Sequence, residues 1–289
     1  MKFQFIERHQ QAHSVELMAR LLGVSRSGYY AWNCRLECEH SVMDGRLEEQ
    51  IRVIQKECDH RYGSPRVTEE LRRRGYRVGE NRVARLMREH RLGRRAKKRY
   101  RSTTDSHHSH EVAENLLRRE FRVPGPNMVW ASDMSYVATS QGWLYLCVVL
   151  DLYSRKVIGW AMGARMSAAL MVQALLMACM FRKPPEGVIF HSDRGSQYCS
   201  GEFRRCLGSY RMRQSMSGVG DPWDNAPVES FFKTLKSELC GDRAFGSRAQ
   251  ARAAIFEYLE VFYNRKRLHS TLGYQTPEEY EQDFARKAA

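Results

Sequence analysis

The sequence predicts an α/β fold in which a mixed sheet is flanked by helices and is preceded by small all-α modules. Up to residue 92 the apolar residues recur at helical spacing, whereas after residue 127 short apolar runs alternate with turn signals, as expected for strands. The hydrophobic content of 43% suits a folded protein. The predicted segments are an N-terminal helical segment (1–42), a basic helical module (43–92), a basic and polar linker (93–124), and an α/β domain with a C-terminal helix (125–289).

Residues 14–32 resemble a helix-turn-helix. Gly23 is expected to end the first helix, and Ser25 can cap the second. Short helical pairs are also common in packing modules, so DNA contact and simple packing both stay open here. The apolar residues at helical spacing in the first helix are Leu17, Met18, Leu21 and Leu22.

The basic module is predicted to contain three helices. The first spans 44–58, the second has Thr68 as its N-cap and ends at Gly75, and the third covers about 80–91. One apolar face and one arginine face on the third helix suit a helix lying against DNA. His90 is expected to pack rather than to bind a metal. The packing residues are Leu47, Ile51, Ile54, Val83, Leu86 and Met87, and the arginine face comprises Arg82, Arg85, Arg88 and Arg91.

Positive charge is concentrated between residues 60 and 101, which hold sixteen Lys or Arg against four Glu in a chain of net charge +14. Such an excess repels itself unless an anionic partner neutralises it, and nucleic acid is the commonest such partner. The linker lacks apolar periodicity, so we expect its basic residues to track phosphates. His107, His108 and His110 could bind a metal loosely, but a linker is the favoured interpretation. The linker residues predicted to contact DNA are Arg94, Arg95, Lys97, Lys98 and Arg99.

The α/β pattern begins after Pro124-Gly125-Pro126. Three strands form a meander, an apolar helix crosses over, and a fourth strand leads to Asp193 and a further helix. Residues 218–227 hold too many helix and strand breakers for regular structure, so a mobile loop is expected there. The predicted strands are 128–138, 143–151 and 156–163, the helices are 167–181, 201–210 and 247–266, and the packing stripe of the last is Ile255, Phe256, Leu259 and Phe262.

Three carboxylates stand at informative positions in this pattern. Two strands deliver Asp133 and Asp193, and Glu229 lies in the first turn of a predicted helix. Carboxylates brought close together repel, so one takes up a proton or both share a cation. Mg²⁺ prefers such oxygen ligands, and a pair of ions can serve phosphoryl transfer. Asp151 also follows a strand and competes as a ligand, but a surface pair with Arg155 is the favoured interpretation.

Four motifs between about residues 60 and 280 carry a family resemblance. They are Trp130-x-x-Asp133-x-Ser135-Tyr136, His191-Ser192-Asp193-Arg194-Gly195-Ser196-Gln197-Tyr198, Asp224-Asn225-Ala226-x-x-Glu229-Ser230-Phe231-Phe232-x-Thr234-Leu235-Lys236, and Tyr263-Asn264-x-x-Arg267-x-His269-x-x-Leu272-Gly273-Tyr274-x-Thr276-Pro277. The first three resemble the DDE motif of the OrfB-type transposases of bacterial insertion sequences, which are relatives of retroviral integrases. The fourth is similar to that family's C-terminal signature.

The resemblance implies an RNase H-like integrase catalytic domain, two Mg²⁺ ions for which Mn²⁺ can substitute, and DNA cleavage and strand transfer at transposon ends. The strand order predicted above agrees with such a sheet. Asp133, Asp193 and Glu229 would hold the ions, which activate water or a 3′-hydroxyl and stabilise the leaving oxygen. Two rival classes stay open: a non-catalytic DNA-binding regulator, and a structure-selective nuclease.

Residues close to Glu229 raise two further questions. Lys236 lies seven residues on, which places both side chains on one helix face, so we expect it to grip a DNA phosphate. Lys233 is also assigned to DNA, although pairing with Glu229 is its alternative. Asp221 and Asp224 are rival acids, but glycine and proline neighbours hold their backbone poorly, so Glu229 is the predicted ligand.

The expected partners are transposon-end and target DNA, further copies of this chain on DNA, and a protein from an upstream reading frame. The N-terminus lacks the apolar region of a signal peptide, and no run approaches the 18 or so uninterrupted apolar residues of a membrane span. A cytoplasmic protein, associated with the nucleoid when bound to DNA, is therefore expected.

Overall fold

The computed structural model describes residues 1–34, 39–93, 112–218, 222–240 and 244–288. Within these ranges, every helix is too short or too polar to cross a bilayer. Part of the predicted linker, including Arg94, Arg95, Lys97, Lys98, Arg99 and the three histidines His107, His108 and His110, lies outside the described residues, as does Asp221.

The N-terminal unit consists of α1 (Lys2–His9), α2 (Val15–Leu22) and α3 (Arg26–Asn33). Gly23 ends α2 with a left-handed φ of 63°, and the Ser25 hydroxyl accepts from the Gly28 N–H, 3.0 Å away, to cap α3. Both predicted helix signals are therefore confirmed. The unit has a small core of its own, formed by Ile6, Met18, Ala19 and Tyr29.

The second helical module contains α4 (Glu39–Glu57), α5 (Ser64–Arg73) and α6 (Glu80–Glu89). Its predicted packing residues are buried. The prediction that Thr68 caps α5 is wrong, because the helix begins a turn earlier, after Gly63 and with Pro65 in its first turn. The Thr68 hydroxyl instead donates to the Ser64 carbonyl oxygen at 2.8 Å, within the helix.

The α/β domain is built on a five-stranded mixed sheet in the order β3-β2-β1-β4-β5. The first three strands are antiparallel, and β4 and β5 pair in parallel beside β1. The sequence did not predict β5, because its residues Arg-Gln-Ser-Met contain no apolar run. The strands are β1 (Val129–Thr139), β2 (Gly142–Asp151), β3 (Val157–Gly163), β4 (Ile189–Ser192) and β5 (Arg213–Met216).

Helices cover both faces of this sheet. The crossover helix α7 packs closely on β3, where a Cβ at Gly159 would overlap the Ala174 carbonyl oxygen. On the other face, α9 and α10 contact β1. The helices are α7 (Ala168–Arg182), α8 (Gly201–Ser209), α9 (Ala226–Leu235), α10 (Arg248–Glu257) and α11 (Pro277–Ala288), with π-helical turns at Lys236–Cys240 and Tyr258–Tyr263.

Two predictions for this half of the chain need correction. The described part of the expected loop is not irregular, because Pro222–Asn225 form a 3-10 turn in which Asp224 and Asn225 are buried. The predicted helix over 247–266 changes to π-helical hydrogen bonding at Tyr258, and Phe256 is half exposed rather than part of the packing stripe.

The second helical module is fastened to the C-terminal signature. The Tyr62 hydroxyl donates to the Lys266 carbonyl at 2.9 Å and accepts from the Leu268 N–H at 3.0 Å. Arg73 donates two hydrogen bonds to the Glu279 carboxylate, each with an N–O distance of 3.0 Å. These contacts join the arginine-rich helices directly to the α/β domain.

Candidate active site

Asp133 and Asp193 lie side by side because their strands are parallel neighbours. Ser132 of β1 is paired with Ser192 of β4, so each aspartate is the next residue along one of two adjacent strands. Such strands lie about 5 Å apart. Asp133 lies inside β1, whereas Asp193 directly follows β4. The two predicted acids therefore meet at the C-terminal end of β4, between two interior strands of the sheet.

The two carboxylates are held by backbone groups. The Met134 N–H donates to the Asp133 carboxylate at 2.6 Å, and the Gly195 N–H donates to the Asp193 carboxylate at 3.0 Å. Burial and the charges of Asp193 and Glu229 raise the pKa of Asp133 well above its usual range, against the Met134 hydrogen bond. Negative charge is thus costly at this site, as expected where a cation is to be bound.

Glu229 reaches the same region from α9. Its helix is anchored by Val228, Phe231, Phe232 and Leu235, all buried. Burial and Asp193 raise the pKa of Glu229, although Lys233 acts in the opposite direction from 3.9 Å. The structure therefore brings all three predicted acids into electrostatic contact.

The three carboxylates converge without closing on one point. Among the described residues, no three His, Cys, Asp or Glu side chains gather tightly enough to form a complete metal site. The donors fit a hard divalent cation, since they are oxygen ligands whose mutual repulsion a cation would relieve.

The two lysines of α9 and the turn after it differ in environment. The Lys236 ammonium lies 5.0 Å from the centre of the Tyr136 ring. Burial lowers the pKa of Lys236, while Tyr136, Cys240 and Asp133 oppose that effect. Lys233, in contrast, is 80% exposed. Of the two lysines, Lys236 is the one whose charge the structure couples to Asp133.

Asp151 is a structural residue, but not in the predicted way. It is fully buried, and its carboxylate accepts from the backbone N–H groups of Asn127 and Tyr153 and from Arg182, at 2.7, 2.9 and 2.9 Å. The expected surface pair with Arg155 is wrong, because Arg155 donates its side-chain N–H to the Phe121 carbonyl instead. The long-range partner Arg182 could not be recognised from local spacing.

Asp224 is likewise bound by protein groups. Its carboxylate is 7% exposed and accepts from Arg119, Asn115 and the Gly218 N–H, at 2.8, 2.9 and 2.7 Å. Burial would raise the pKa of Asp224, but these hydrogen bonds outweigh it and hold the pKa below its usual range. The sequence missed Arg119 and Asn115, which it assigned to the linker.

The predicted DNA-binding face of α6 is partly neutralised. Asp44 of α4 accepts from both Arg82 and Arg85, at 2.7 and 2.6 Å, whereas Arg88 is exposed. His90 is only half-buried, and its Nδ1 lies 2.9 Å from Glu48, so the expectation that it packs on the apolar side is only partly met. The sequence gave no signal for Asp44, because it stands 38 residues before Arg82.

Family models match most of the described chain. Two models, each described as an integrase core domain, match residues 123–222 and 210–277, and a model described as an HTH-like domain matches residues 44–101. Together with the mixed sheet, these matches define an integrase-core protein with a helix-turn-helix-like domain. The predicted RNase H-like fold class is thereby confirmed.

Proteins with a similar sequence show which family of integrase-core proteins the chain belongs to. The chain is 43% identical over 284 residues to the transposase InsF for insertion sequence IS3A of Escherichia coli (strain K12), covering 97% of this chain and 98% of that protein. It is also 43% identical over 272 residues to the insertion element IS600 uncharacterized 31 kDa protein of Shigella sonnei, covering 94% and 100%. The chain belongs to the family of IS3-type insertion-sequence transposases, which confirms the resemblance in its motifs.

Solved structures with a similar fold are more distant. One is the simian T-cell lymphotropic virus intasome in complex with PP2A regulatory subunit B56 gamma, with 16% identity, coverage of 76% of this chain and 70% of that chain, and a TM-score of 0.47. Another is the HTLV-2 integrase catalytic core domain in complex with magnesium (trimeric form), with 19% identity, coverage of 55% and 99%, and a TM-score of 0.44. Both likenesses are weak, and the fold assignment rests on this chain's own sheet and its family.

Proposed function

We propose that this chain is a DNA transposase that binds the ends of an insertion sequence and catalyses metal-dependent strand cleavage and strand transfer. The observation that carries the proposal is the convergence of Asp133, Asp193 and Glu229 beside the C-terminal end of β4, where burial and the charges of the other two acids raise the pKa of Asp133. Family membership gives the same class of reaction. In this proposal the chain acts in the cytoplasm on nucleoid DNA.

The three carboxylates are proposed to hold two Mg²⁺ ions, for which Mn²⁺ can substitute. When bound, such ions activate an attacking oxygen and stabilise the leaving 3′-oxygen of a phosphodiester. The protein's part is to orient the ligands: backbone N–H groups fix Asp133 and Asp193, and the buried face of α9 carries Glu229. Because the site is buried, electrostatic interactions between the charged groups there are stronger than they would be in water.

Basic groups are proposed to position the DNA. Lys236 is suited to a phosphate beside the acids, because its ammonium is coupled to Asp133 and half-buried. Arg88 on α6, and Arg82 and Arg85 once they leave Asp44, are suited to phosphates farther from the reaction centre. The basic linker residues and Lys233 complete the proposed contacts. Further copies of the chain, and an upstream-frame protein, remain the proposed protein partners.

The decisive test compares Asp193→Asn with wild type on DNA duplexes that carry the element's terminal repeats. We expect the variant to lose cleavage and strand transfer in Mg²⁺, by a factor on the order of 10³ or more, while its affinity for DNA stays within about twofold. Glu186→Gln, on an exposed side chain of the same domain, is the control and should cleave like wild type.

Three outcomes would contradict the proposal. Wild-type protein that binds the ends without cleaving them in Mg²⁺ or Mn²⁺ would point to a non-catalytic regulator. Cleavage that depends on DNA shape and not on the end sequence would point to a structure-selective nuclease. Retained cleavage in Asp193→Asn would remove the carboxylate site from the mechanism.

The lysines allow a finer test at the same site. Lys236→Ala should slow cleavage and joining by roughly tenfold, because a desolvated phosphate contact beside the reaction centre is lost. Lys233→Ala should have a smaller effect, since its side chain is 80% exposed and lies 3.9 Å from Glu229. Equal and small effects of the two substitutions would show that neither lysine grips DNA during the reaction.

A further inference from the structure

Asp224 lies where three parts of the molecule meet. It belongs to the Pro222–Asn225 turn that leads directly into α9, five residues before Glu229. The neighbouring Asn225 side chain donates to the Ser132 carbonyl oxygen at 3.2 Å, next to Asp133 in β1. The start of the helix that carries Glu229 is therefore tied to the strand that carries Asp133.

The carboxylate of Asp224 is occupied by the segment of residues 112–119, which we call the docking segment. Arg119 donates to one carboxylate oxygen, and Asn115 donates to the other, together with the Gly218 N–H. Asn115 also shapes its own segment, because its side-chain oxygen accepts from the N–H groups of Leu117 and Arg118. The docking segment thus closes around a buried anion.

The backbone of Asp224 is held by a hydrogen-bond chain that starts in the same segment. The Leu116 N–H donates to the Ser215 hydroxyl at 2.9 Å, and that hydroxyl lies 2.9 Å from His191 Nδ1. The opposite ring nitrogen, Nε2, lies 2.9 Å from the Asp224 carbonyl oxygen. Because a carbonyl can only accept, Nε2 carries the proton, and the Ser215 hydroxyl donates to Nδ1.

This hydrogen-bond chain runs through the interior. His191 and Ser215 are fully buried, and burial lowers the pKa of His191, which keeps the ring neutral. His191 stands two residues before Asp193 in β4. The docking segment is therefore linked through Asp224 to the surroundings of all three predicted catalytic acids.

The docking segment also has a position in the chain that matters. It lies within the predicted linker (93–124), between the residues matched by the helix-turn-helix-like model and those matched by the integrase core model. Loss of Arg119 would remove the guanidinium that neutralises the 7% exposed Asp224 carboxylate, which is unfavourable for a buried charge. Because Asp224 lies in the turn that leads into α9, the way it is held bears on the placement of Glu229.

We propose that Asp224 is a positioning residue through which the docking segment holds the start of α9, and with it Glu229, in place relative to Asp133 and Asp193. This inference rests on the proposed function of the carboxylate site and adds a link from the DNA-binding half of the chain to that site. Arg119 and Asn115 recognise the carboxylate, and the Leu116–Ser215–His191 chain fixes the backbone. None of these residues touches the reacting atoms.

The test uses full-length Arg119→Gln, with Arg118→Gln as the matched control. Arg119 is 53% exposed, so its replacement should leave the fold intact, and Arg118 is an adjacent arginine whose side chain pairs with Glu114 in solvent. Cleavage of DNA carrying the element ends is measured across a Mg²⁺ titration, and affinity for the same DNA is measured separately.

We expect Arg119→Gln to lower the rate at saturating Mg²⁺ or raise the Mg²⁺ midpoint by roughly 10- to 100-fold, as for other residues that orient metal ligands. DNA affinity should stay within about twofold, Arg119→Lys should recover part of the loss, and Arg118→Gln should match wild type.

Three results would overturn the inference. The first is Arg119→Gln behaving like Arg118→Gln. The second is a loss of DNA affinity as large as the loss of rate. The third is a rate that falls only in proportion to the folded fraction, with an unchanged Mg²⁺ midpoint. Wild-type protein without metal-dependent cleavage would refute the proposed function itself, whereas active wild type with an unaffected Arg119→Gln would refute only the positioning role.

Discussion

Glu229 and Glu238 lie near opposite ends of one continuous helical stretch, and their surroundings shift their pKa values in opposite directions. Glu229 faces Asp193, and its pKa is raised by burial and by that neighbour. Burial acts on Glu238 too, but two hydrogen bonds from Arg267, both 2.9 Å, and one from Tyr258, 2.8 Å, hold its pKa below the usual range.

The difference teaches how to separate a functional acid from a structural one. Glu238 and Arg267 form a buried, two-pronged pair whose charges neutralise each other. At the carboxylate site, burial and the neighbouring acids raise the pKa values of Asp133 and Glu229, so the clustering of these acids opposes folding and calls for another explanation. Cation binding is the reason that their oxygen donors suit.

The comparison can be broken most directly by neutralising each glutamate in turn. Glu229→Gln should lower strand cleavage by a factor on the order of 10³, because a proposed metal ligand is lost, while the unfolding free energy of the protein changes by less than about 0.5 kcal/mol. Glu238→Gln should do the reverse, with near-normal cleavage by the folded fraction and a loss of about 3 kcal/mol of stability, because it leaves Arg267 buried without its anion.

Urea unfolding and cleavage assays on the same preparations measure both quantities. If Glu238→Gln cost activity without stability, or Glu229→Gln cost stability without activity, the division into functional and structural acids would be wrong.

The buried pair itself can be examined by removing both charges. Arg267→Met alone should destabilise by about 3 to 5 kcal/mol, since it strands a buried carboxylate. Combining it with Glu238→Leu should recover much of that loss, because an apolar pair of similar volume needs no compensation. Urea denaturation gives the three free energies. A double variant no more stable than Arg267→Met would show that lost packing, and not the stranded charge, dominates.

A smaller effect is expected from pH, and its sign differs between the two regions. The pKa of Asp133 is raised above the ordinary 3.8, so its ionisation weakens the fold as pH rises from 3.8 through the folded pKa. Asp133→Asn should therefore be more stable than wild type at pH 7, and the difference should narrow as pH falls through that folded value.

Glu238 behaves in the opposite sense. Its folded pKa lies below the ordinary 4.5, so its contribution is complete above 4.5 and is lost as pH falls through the folded value. Thermal unfolding of Asp133→Asn and Glu238→Gln against wild type between about pH 2 and 8 measures both trends. Added Mg²⁺ should stabilise wild type more than Asp133→Asn. An Asp133→Asn curve that ran parallel to wild type would contradict the assignment.

The smallest expected effect concerns the arginines of α6. Arg88→Ala should lower the slope of log affinity against log salt by about one, as for a side chain on a phosphate. Arg82→Ala and Arg85→Ala should each change the slope less, because both already share Asp44. Asp44→Asn is the matched variant, and it should raise affinity by releasing them. If all four variants had the same salt slope as wild type, this face of α6 would not bind DNA.

Much of the fold was determined by the sequence. The apolar runs placed four of the five strands and the helices α7, α8 and α9, because buried strands and helices must present apolar residues at a fixed period. The motifs around Asp133, Asp193 and Glu229 predicted the three acids that the structure brings together, and the family matches agree with the transposase class. Local signals such as Gly23 and Ser25 were also read correctly, since capping is decided within one turn.

Only the tertiary structure decided which charged residues meet. In four of the ion pairs described above, the two partners are 29 to 105 residues apart in the chain. These pairs are Arg182 with Asp151, Arg119 with Asp224, Arg267 with Glu238, and Arg82 with Asp44. Strand β5, too polar to be recognised, forms only because β4 offers it a parallel edge. The periodicity of apolar residues shows which face of a helix or strand packs against the core. The partner of a buried charge depends on distances in space, which no local pattern encodes.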